Sequence, residues 1–372
     1  MNACDRCLAR GFLLEALAGH LETQRWQIDA LLALPDHELL DAVGGHRADA
    51  VAHPVGAADA IPLALGGADA EARRARVAAA GLEVVCRCSP LYPRALLELE
   101  APPAVLYMTG SAERLSSLLA DDRAVAVVGA RRASPYGVET ASSLASGLGG
   151  ADVTVVSGMA LGIDGVAHDG ALRGAGETVA VLPGGADRAY PAAHRRLYER
   201  IRAQGIVISE LPPGVRPRRW MFPARNRIIA GLSAMTVVVQ ARARSGALVT
   251  ARHAQTLGRV VGAVPGPVSS PLSAGPHALI AAGARLIAGA QDVLDAIYGP
   301  GERTLEHAWR ASLSDRDVAL LSALQEGHEG AAAFARAGLG TVEALEAVAA
   351  LELAGVIRCG PGGRLVVTTG PR

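Results

Sequence analysis

The chain has 372 residues, half of them apolar and 19% charged, with a formal net charge of zero. That length implies two or three domains, and the apolar share permits a large core and excludes wholesale disorder. Balanced charge excludes binding by bulk basicity, so affinity for nucleic acid would need a local patch. All 36 basic residues are arginine; with the heavy use of Ala and Gly this reads as coding bias, which lowers the weight of any Arg-rich stretch.

Met1 to Arg10 mixes acid and base among polar residues, so no signal peptide is expected, and no apolar run is long enough to span a bilayer. Five cysteines in a chain of this kind point to reduced thiols in the cytoplasm. Cys4-x-x-Cys7 and Cys86-x-Cys88 can supply four thiolates to a structural zinc. The second pair is spaced tighter than a usual knuckle, so small buried residues are the reading adopted and no metal or cofactor is expected.

Leu8 to Val43 reads as short helices, with a helix, tight turn and helix over IDALLALPDHELLDAVGG. Ala57 to Ala80 reads as helical, and Leu91 to Met108 as an extended connector. From Ala124 the pattern changes. Short β-branched runs recur, most of them ending in small residues: AVAVVGA (124–130), VTVVSG (153–158), TVAVLPGG (178–185), IVISE (206–210), MTVVVQA (235–241), VVGAVPG (260–266) and ARLIAG (284–289). Helix-compatible stretches lie between them, at Gly137 to Leu148, Asp164 to Leu172, Ala192 to Arg202 and Gly246 to Leu257. Continuous apolar strands alternating with helices specify an α/β fold with a Rossmann-like parallel sheet covered on both faces. Such sheets bind ligands at the carboxyl ends of their strands, where these glycine-rich turns fall. After Gly299, helices are expected at Ser314 to Gln325, Ala331 to Ala337 and Thr341 to Leu353. GVIRC and RLVVT then form a hairpin, which makes a winged-helix pattern. Its middle helix carries only Arg336 as a positive charge, thin for groove reading, so a protein-contact role is as well supported as DNA binding.

Three turns and one loop can build a site. Gly129-Ala130-Arg131 follows the first strand and opens a helix, so backbone amides and a guanidinium fork converge on an anion. Ser157-Gly158 begins the second turn, where Asp164 is expected to cap a helix and His168 lies on the same face. Gly184-Gly185 forms the third turn, PGGADRAYP, which lacks the Gly-Thr and glutamate of nucleotide-cleaving Rossmann enzymes. RPRRWMFPARNR (216–227) reads as a basic loop with five arginines and no acid; its charge suits phosphates, and Trp220 and Phe222 suit bases, as a single-strand surface needs. Neither a P-loop nor a G-x-G-x-x-G turn is present.

In order, VGARRASPYG, SGMALGIDGVAH, LPGGADRAYPAAH, SELPPG, FPARNRIIAGLS, SGALVTARHA and AVPGP…GPHALIAAGA closely resemble the DNA-processing protein A family (DprA, also called Smf), over roughly Leu91 to Ile297. The resemblance implies a cytoplasmic bacterial protein that binds single-stranded DNA, protects incoming strands in natural transformation and loads the RecA recombinase on them. It also implies a homodimer built through the Rossmann-like domain, and no covalent chemistry. The implied organisation is a SAM-like or helix-hairpin-helix-like helical module over 1–90, a strand-binding core over 91–300 with its sheet from about 124, and a winged helix over 301–372. By motif position, the strand is held by the backbone at Gly129 and Ala130, by Arg131 and by the 219–227 loop. There Phe222 stacks on a base, and Arg225 and Arg227 meet phosphates. Ser134, Ser157, Gly158, Gly184, Gly185, Arg219, Asn226, Ser245 and Gly246 complete the expected set. The chain departs from the family pattern at Ala130, where Ser or Thr is common, Leu161 (Arg), Gln240 (Glu) and Arg219 (near a Lys). The alternative is an enzyme that binds or cleaves a nucleotide, with Asp164, His168 and Asp187 as its only candidate acids and bases.

Overall fold

One nine-stranded sheet organises the computed structural model, which describes residues 3–44, 70–120, 124–305, 313–353, 356–360 and 364–367. Its strands are β1 (Glu83–Cys86), β2 (Val105–Met108), β3 (Ala124–Val128), β4 (Thr154–Ser157), β5 (Thr178–Val181), β6 (Ile206–Ser209), β7 (Met235–Val238), β8 (Val260–Ala263) and β9 (Arg285–Leu286). They lie in the order β1-β2-β6-β5-β4-β3-β7-β8-β9. From β3 to β9 every pairing is parallel. All seven strands expected from the β-branched runs are present. Two more precede them, which corrects the reading of 91–108 as a connector only. β2 pairs antiparallel with β6, and β1 pairs antiparallel with β2. VLYM is buried at every position, so its four apolar residues complete a sheet edge instead of linking two units.

The helices are α1 (Asp5–Ala16), α2 (Ala18–Thr23), α3 (Ile28–Ala33), α4 (Asp36–Gly44), α5 (Ala70–Ala79), α6 (Ala112–Leu118), α7 (Pro135–Gly150), α8 (Ile163–Arg173), α9 (Arg195–Gln204), α10 (Met221–Gly231), α11 (Ala247–Thr256), α12 (Ala274–Ala281) and α13 (Ala290–Tyr298). The expected helix-turn-helix near the amino terminus is α3 and α4; the first part of the helix expected over 57–80 lies outside the described residues. Successive side chains of β3 serve opposite faces of the sheet, as the two-residue period requires. Ala124, Ala126 and Val128 pack with Ile228, Ile229 and Ala251, under α10 and α11. Val125 and Val127 pack with Leu144, Leu148, Ile163 and Val293, under α7, α8 and α13. Burial on both faces is what continuous apolar strands demand.

β3 sits between β4 and β7, and the chain builds outward from it in both directions. Such a reversal opens a crevice at the carboxyl ends of the strands. One wall of that crevice is α10, which corrects the reading of 216–227 as a loop. Pro223 falls in the first turn of α10, where no intrahelical N–H partner is needed. The back of α10 is fixed by the amino-terminal helices: Trp220, Met221 and Ala224 pack with Leu13, Leu17, Leu21, Ile28 and Leu31.

The carboxyl-terminal segment has its own core. Helices α14 (Asp315–Gln325), α15 (Gly330–Arg336) and α16 (Thr341–Leu353) and the antiparallel strands β10 (Ile357–Cys359) and β11 (Leu365–Val367) bury Leu320, Leu324, Ala347, Leu351 and Ile357. These are the three helices and hairpin expected there.

Candidate functional site

A cleft of about 610 Å³ opens at the carboxyl ends of β3, β4 and β7. The turn after β3 contributes Gly129, Ala130, Arg131 and Arg132, and α10 contributes Phe222, Pro223, Arg225, Asn226 and Ile229. The segment after β7 contributes Arg242, Arg244, Ser245 and Gly246. The α10 residues recur at the three- and four-residue spacings that share one helical face. Arg227, two positions beyond Arg225, projects elsewhere for the same reason.

At the floor lie a buried arginine and a buried aspartate of opposite charge sense. Arg225 Nη1 donates to the carbonyls of Gly158 at 2.6 Å and Val181 at 2.5 Å, so one guanidinium ties the ends of β4 and β5 to α10. Burial pushes its pKa down to about 10, with Asp164 holding it up and Arg131 pushing it down; it stays charged at neutral pH. Burial raises the carboxyl of Asp164, and Arg225 together with the amides of Ala160, Gly129 and Gly158 opposes that rise. Gly158 is glycine because a Cβ there would overlap the Arg225 guanidinium. Asp164 therefore ties turns together from inside α8, whose N-cap is Gly162. It is not the helix cap that the sequence suggested.

The rim is different in kind. Arg131, Arg132, Arg242 and Arg244 are exposed, and among the described residues none has a hydrogen bond or ion pair to an acid. Among the described residues, Asp164 is the one acid lining the cleft. The Arg131 guanidinium lies 5.1 Å over the Phe222 ring, and Tyr190 packs against the same ring at 5.7 Å, tilted by 59°. Tyr190 is 39% exposed. Cations over flat rings, open to solvent and without counter-charge, suit a ligand that carries both phosphates and bases.

A family model for DNA recombination-mediator protein A matches residues 83–298. The chain belongs to that family. It is 43% identical over 281 residues to a putative DNA processing protein DprA of Mycobacterium tuberculosis, which covers 72% of this chain and 70% of the relative. Bacillus subtilis DprA is 37% identical over 215 residues, covering 58% and 71%. Among solved structures, DprA from Streptococcus pneumoniae superposes with a TM-score of 0.61 at 32% identity, over 79% of this chain and 98% of that one. DprA from Helicobacter pylori, described for its single-stranded DNA binding mode, gives 0.52 at 29% identity, over 58% and 95%.

Of the residues expected at the site in this DprA-family chain, the structure gathers Gly129, Ala130, Arg131, Phe222, Arg225, Asn226, Ser245 and Gly246 around one cleft. Others fall outside its lining. Ser134 caps α7, accepting from Gly137 N–H at 3.3 Å. Gln240 Nε2 donates to the Ser134 hydroxyl at 2.7 Å, and Ser134 N–H donates to Gln240 Oε1 at 3.0 Å. Gln240 thus holds the Arg131 turn from behind. Ser157 is fully buried and donates to Val127 O at 2.6 Å. Gly184 and Gly185 are packed beneath the 212–217 segment, against Val215 and Pro212. Arg219 is exposed beyond the cleft. Arg227 is 3% exposed and its Nη2 donates to both oxygens of Glu210, at 2.7 and 2.8 Å. Trp220 is 1% exposed and donates from Nε1 to Ala18 O at 3.0 Å. Direct phosphate contact by Arg225 and Arg227 and base contact by Trp220 are all corrected: Arg227 and Trp220 are sealed inside the fold, and Arg225 is 6% exposed with its guanidinium spent on the carbonyls beneath the cleft. Arg132, Tyr190, Arg242 and Arg244 were missed as site residues. ARAR right after an apolar strand was the signal for the last two; the 190–222 ring contact carries no local signal.

His168 is also not a partner of Asp164. It is fully buried, shares a 2.6 Å hydrogen bond with Thr178 Oγ1, and burial pushes its pKa down to about 3. A buried imidazole that must stay neutral contributes stability that is complete above its ordinary value of 6.5 and is lost as pH falls from there toward 3. Urea unfolding between those limits should therefore show a loss on the order of a few kcal/mol that is absent in His168→Gln. Equal pH slopes in the two proteins would contradict it.

Proposed function

We propose that this cleft is a clamp for single-stranded DNA, with rim arginines on phosphates and the Phe222–Tyr190 platform under bases, and that it performs no covalent chemistry. The observation that carries the reading is the set of four rim arginines, without an acid partner among the described residues, around half-buried Phe222 and exposed Tyr190. The single-strand binding described for the Helicobacter pylori relative supports it. Arg225 at the cleft floor is balanced by Asp164, so in this reading the positive potential offered to a ligand comes from the rim arginines. An enzyme acting on nucleotides finds little support. His168 is held neutral, Asp187 Oδ1 accepts from Gly214 N–H at 2.9 Å, and Asp164 is engaged with the turns and Arg225.

Membership of a recombination-mediator family supports the rest of the reading. The chain protects incoming strands in natural transformation, passes them to the RecA recombinase, and acts as a homodimer through the sheet domain in the cytoplasm. No helix among the described residues is long and apolar enough to cross a membrane. In this reading the amino-terminal helices are the SAM-like module of 1–90. The core spans 91–300, preceded by the β1 edge strand, and the helices and hairpin of 301–372 are a winged helix that meets a partner.

Fluorescence anisotropy with a labelled oligo-dT and a matched duplex tests the clamp. Phe222→Ala should weaken single-strand binding about ten-fold, the contribution of one stacked base. Unchanged affinity would remove Phe222 from the interface, and equal affinity for duplex would overturn the single-strand assignment.

A further inference from the structure

Four of the five cysteines converge at one point remote from the cleft. The sulfurs of Cys4, Cys7, Cys86 and Cys88 all lie within 4.8 Å of one another. Cys7 and Cys88 are 3.7 Å apart, and Cys86 and Cys4 are 4.0 Å apart. A tetrahedral zinc with sulfur ligands at about 2.3 Å places those sulfurs about 3.8 Å from each other. The spacing observed is that of a tetrathiolate shell.

Local structure explains how two unequal motifs make one shell. Cys4 is the N-cap of α1 and Cys7 the third residue within it, so both thiols lie on one side of the first turn. Cys86 ends β1, and Ser89 N–H donates to Cys86 O at 2.8 Å, closing a tight turn that swings Cys88 back beside Cys86. The turn, not the sequence spacing, brings this pair together, which is why Cys-x-Cys reads poorly as a knuckle. Cys4 N–H donates to Cys86 Sγ at 3.4 Å, a backbone contact of the kind that supports metal-bound thiolates from outside the ligand shell. Cys7 and Cys86 are buried while Cys4 and Cys88 face solvent, which leaves a path for metal entry.

We infer that Cys4, Cys7, Cys86 and Cys88 bind one structural zinc ion that staples the start of α1 to the edge of the sheet. The staple closes a loop across 82 residues, including 45–69. The site is separate from the DNA clamp, and its test does not depend on that reading.

The test is metal analysis of full-length protein purified without a metal-affinity step. The expected result is one zinc per chain, released by a mercurial thiol reagent, with cobalt exchange giving the visible spectrum of a tetrahedral tetrathiolate. Cys88→Ser, an exposed position, should lose nearly all the zinc, whereas Cys359→Ser should keep all of it. Metal-free protein in which all five thiols titrate freely would overturn the inference. So would a mass lower by four hydrogens, which would mean two disulfides. Because the wild-type metal content decides alone, poor folding of a variant leaves the test intact.

Discussion

Arg227→Ala should cost the chain about 3–5 kcal/mol of stability and leave its affinity for single-stranded DNA unchanged while it is folded. Arg227 and Glu210 are both buried, and Arg227 binds both carboxylate oxygens through a single nitrogen. Removing the arginine strands a carboxylate away from water, which is far more costly than never having buried the pair. Arg227 Nε and Nη1 are buried without hydrogen-bond partners among the described residues, so the pair is imperfectly compensated as it stands. Arg227→Met combined with Glu210→Met should therefore recover most of the loss. Denaturant unfolding of the single and double variants checks both statements. A single variant as stable as wild type, or one that binds DNA more weakly while fully folded, would contradict the assignment.

Arg131→Ala, Arg242→Ala and Arg244→Ala together should do the opposite. These side chains are exposed and unpaired among the described residues, so unfolding should change by less than about 1 kcal/mol. Affinity for oligo-dT should fall by about two orders of magnitude, at about 1 kcal/mol for each of three exposed, solvent-screened contacts to phosphate. The two experiments divide the arginines of the chain by environment instead of by motif. Arg227, sealed against Glu210, holds the fold, and the rim arginines are the ones proposed to hold the ligand.

That division also marks what was legible in the sequence. Seven strands could be read because runs such as VAVV and TVVV need burial on both faces, and the glycine turns placed the cleft at their ends. The pocket's Gly129, Arg131 and Phe222 followed from that placement. The identity of α10 did not, because two prolines and five arginines between 216 and 227 resemble a solvated loop. Only the packing of Trp220 and Met221 on the amino-terminal helices shows a helix with two differently used faces. Arg225 and Arg227 look equivalent in a string, and their opposite fates depend on a 200° rotation between alternate helix positions and on Glu210 waiting on one side. β1 was invisible, and the four-cysteine cluster was weighed as a zinc site but set aside in favour of small buried residues, for a related reason. Each depends on segments far apart in the chain, and local spacing carries no record of such meetings.

Whether the rim arginines meet phosphates decides the clamp proposal, and the salt dependence of single-strand binding tests that most directly. Oligo-dT affinity should be measured over a series of salt concentrations for wild type and for the Arg131, Arg242 and Arg244 triple variant. A plot of log affinity against log salt should lose roughly 2 units of slope in the variant, about 0.7 for each phosphate contact removed. Parallel lines for the two proteins would mean that these arginines touch no phosphate, and the clamp would have to be sought elsewhere on the surface.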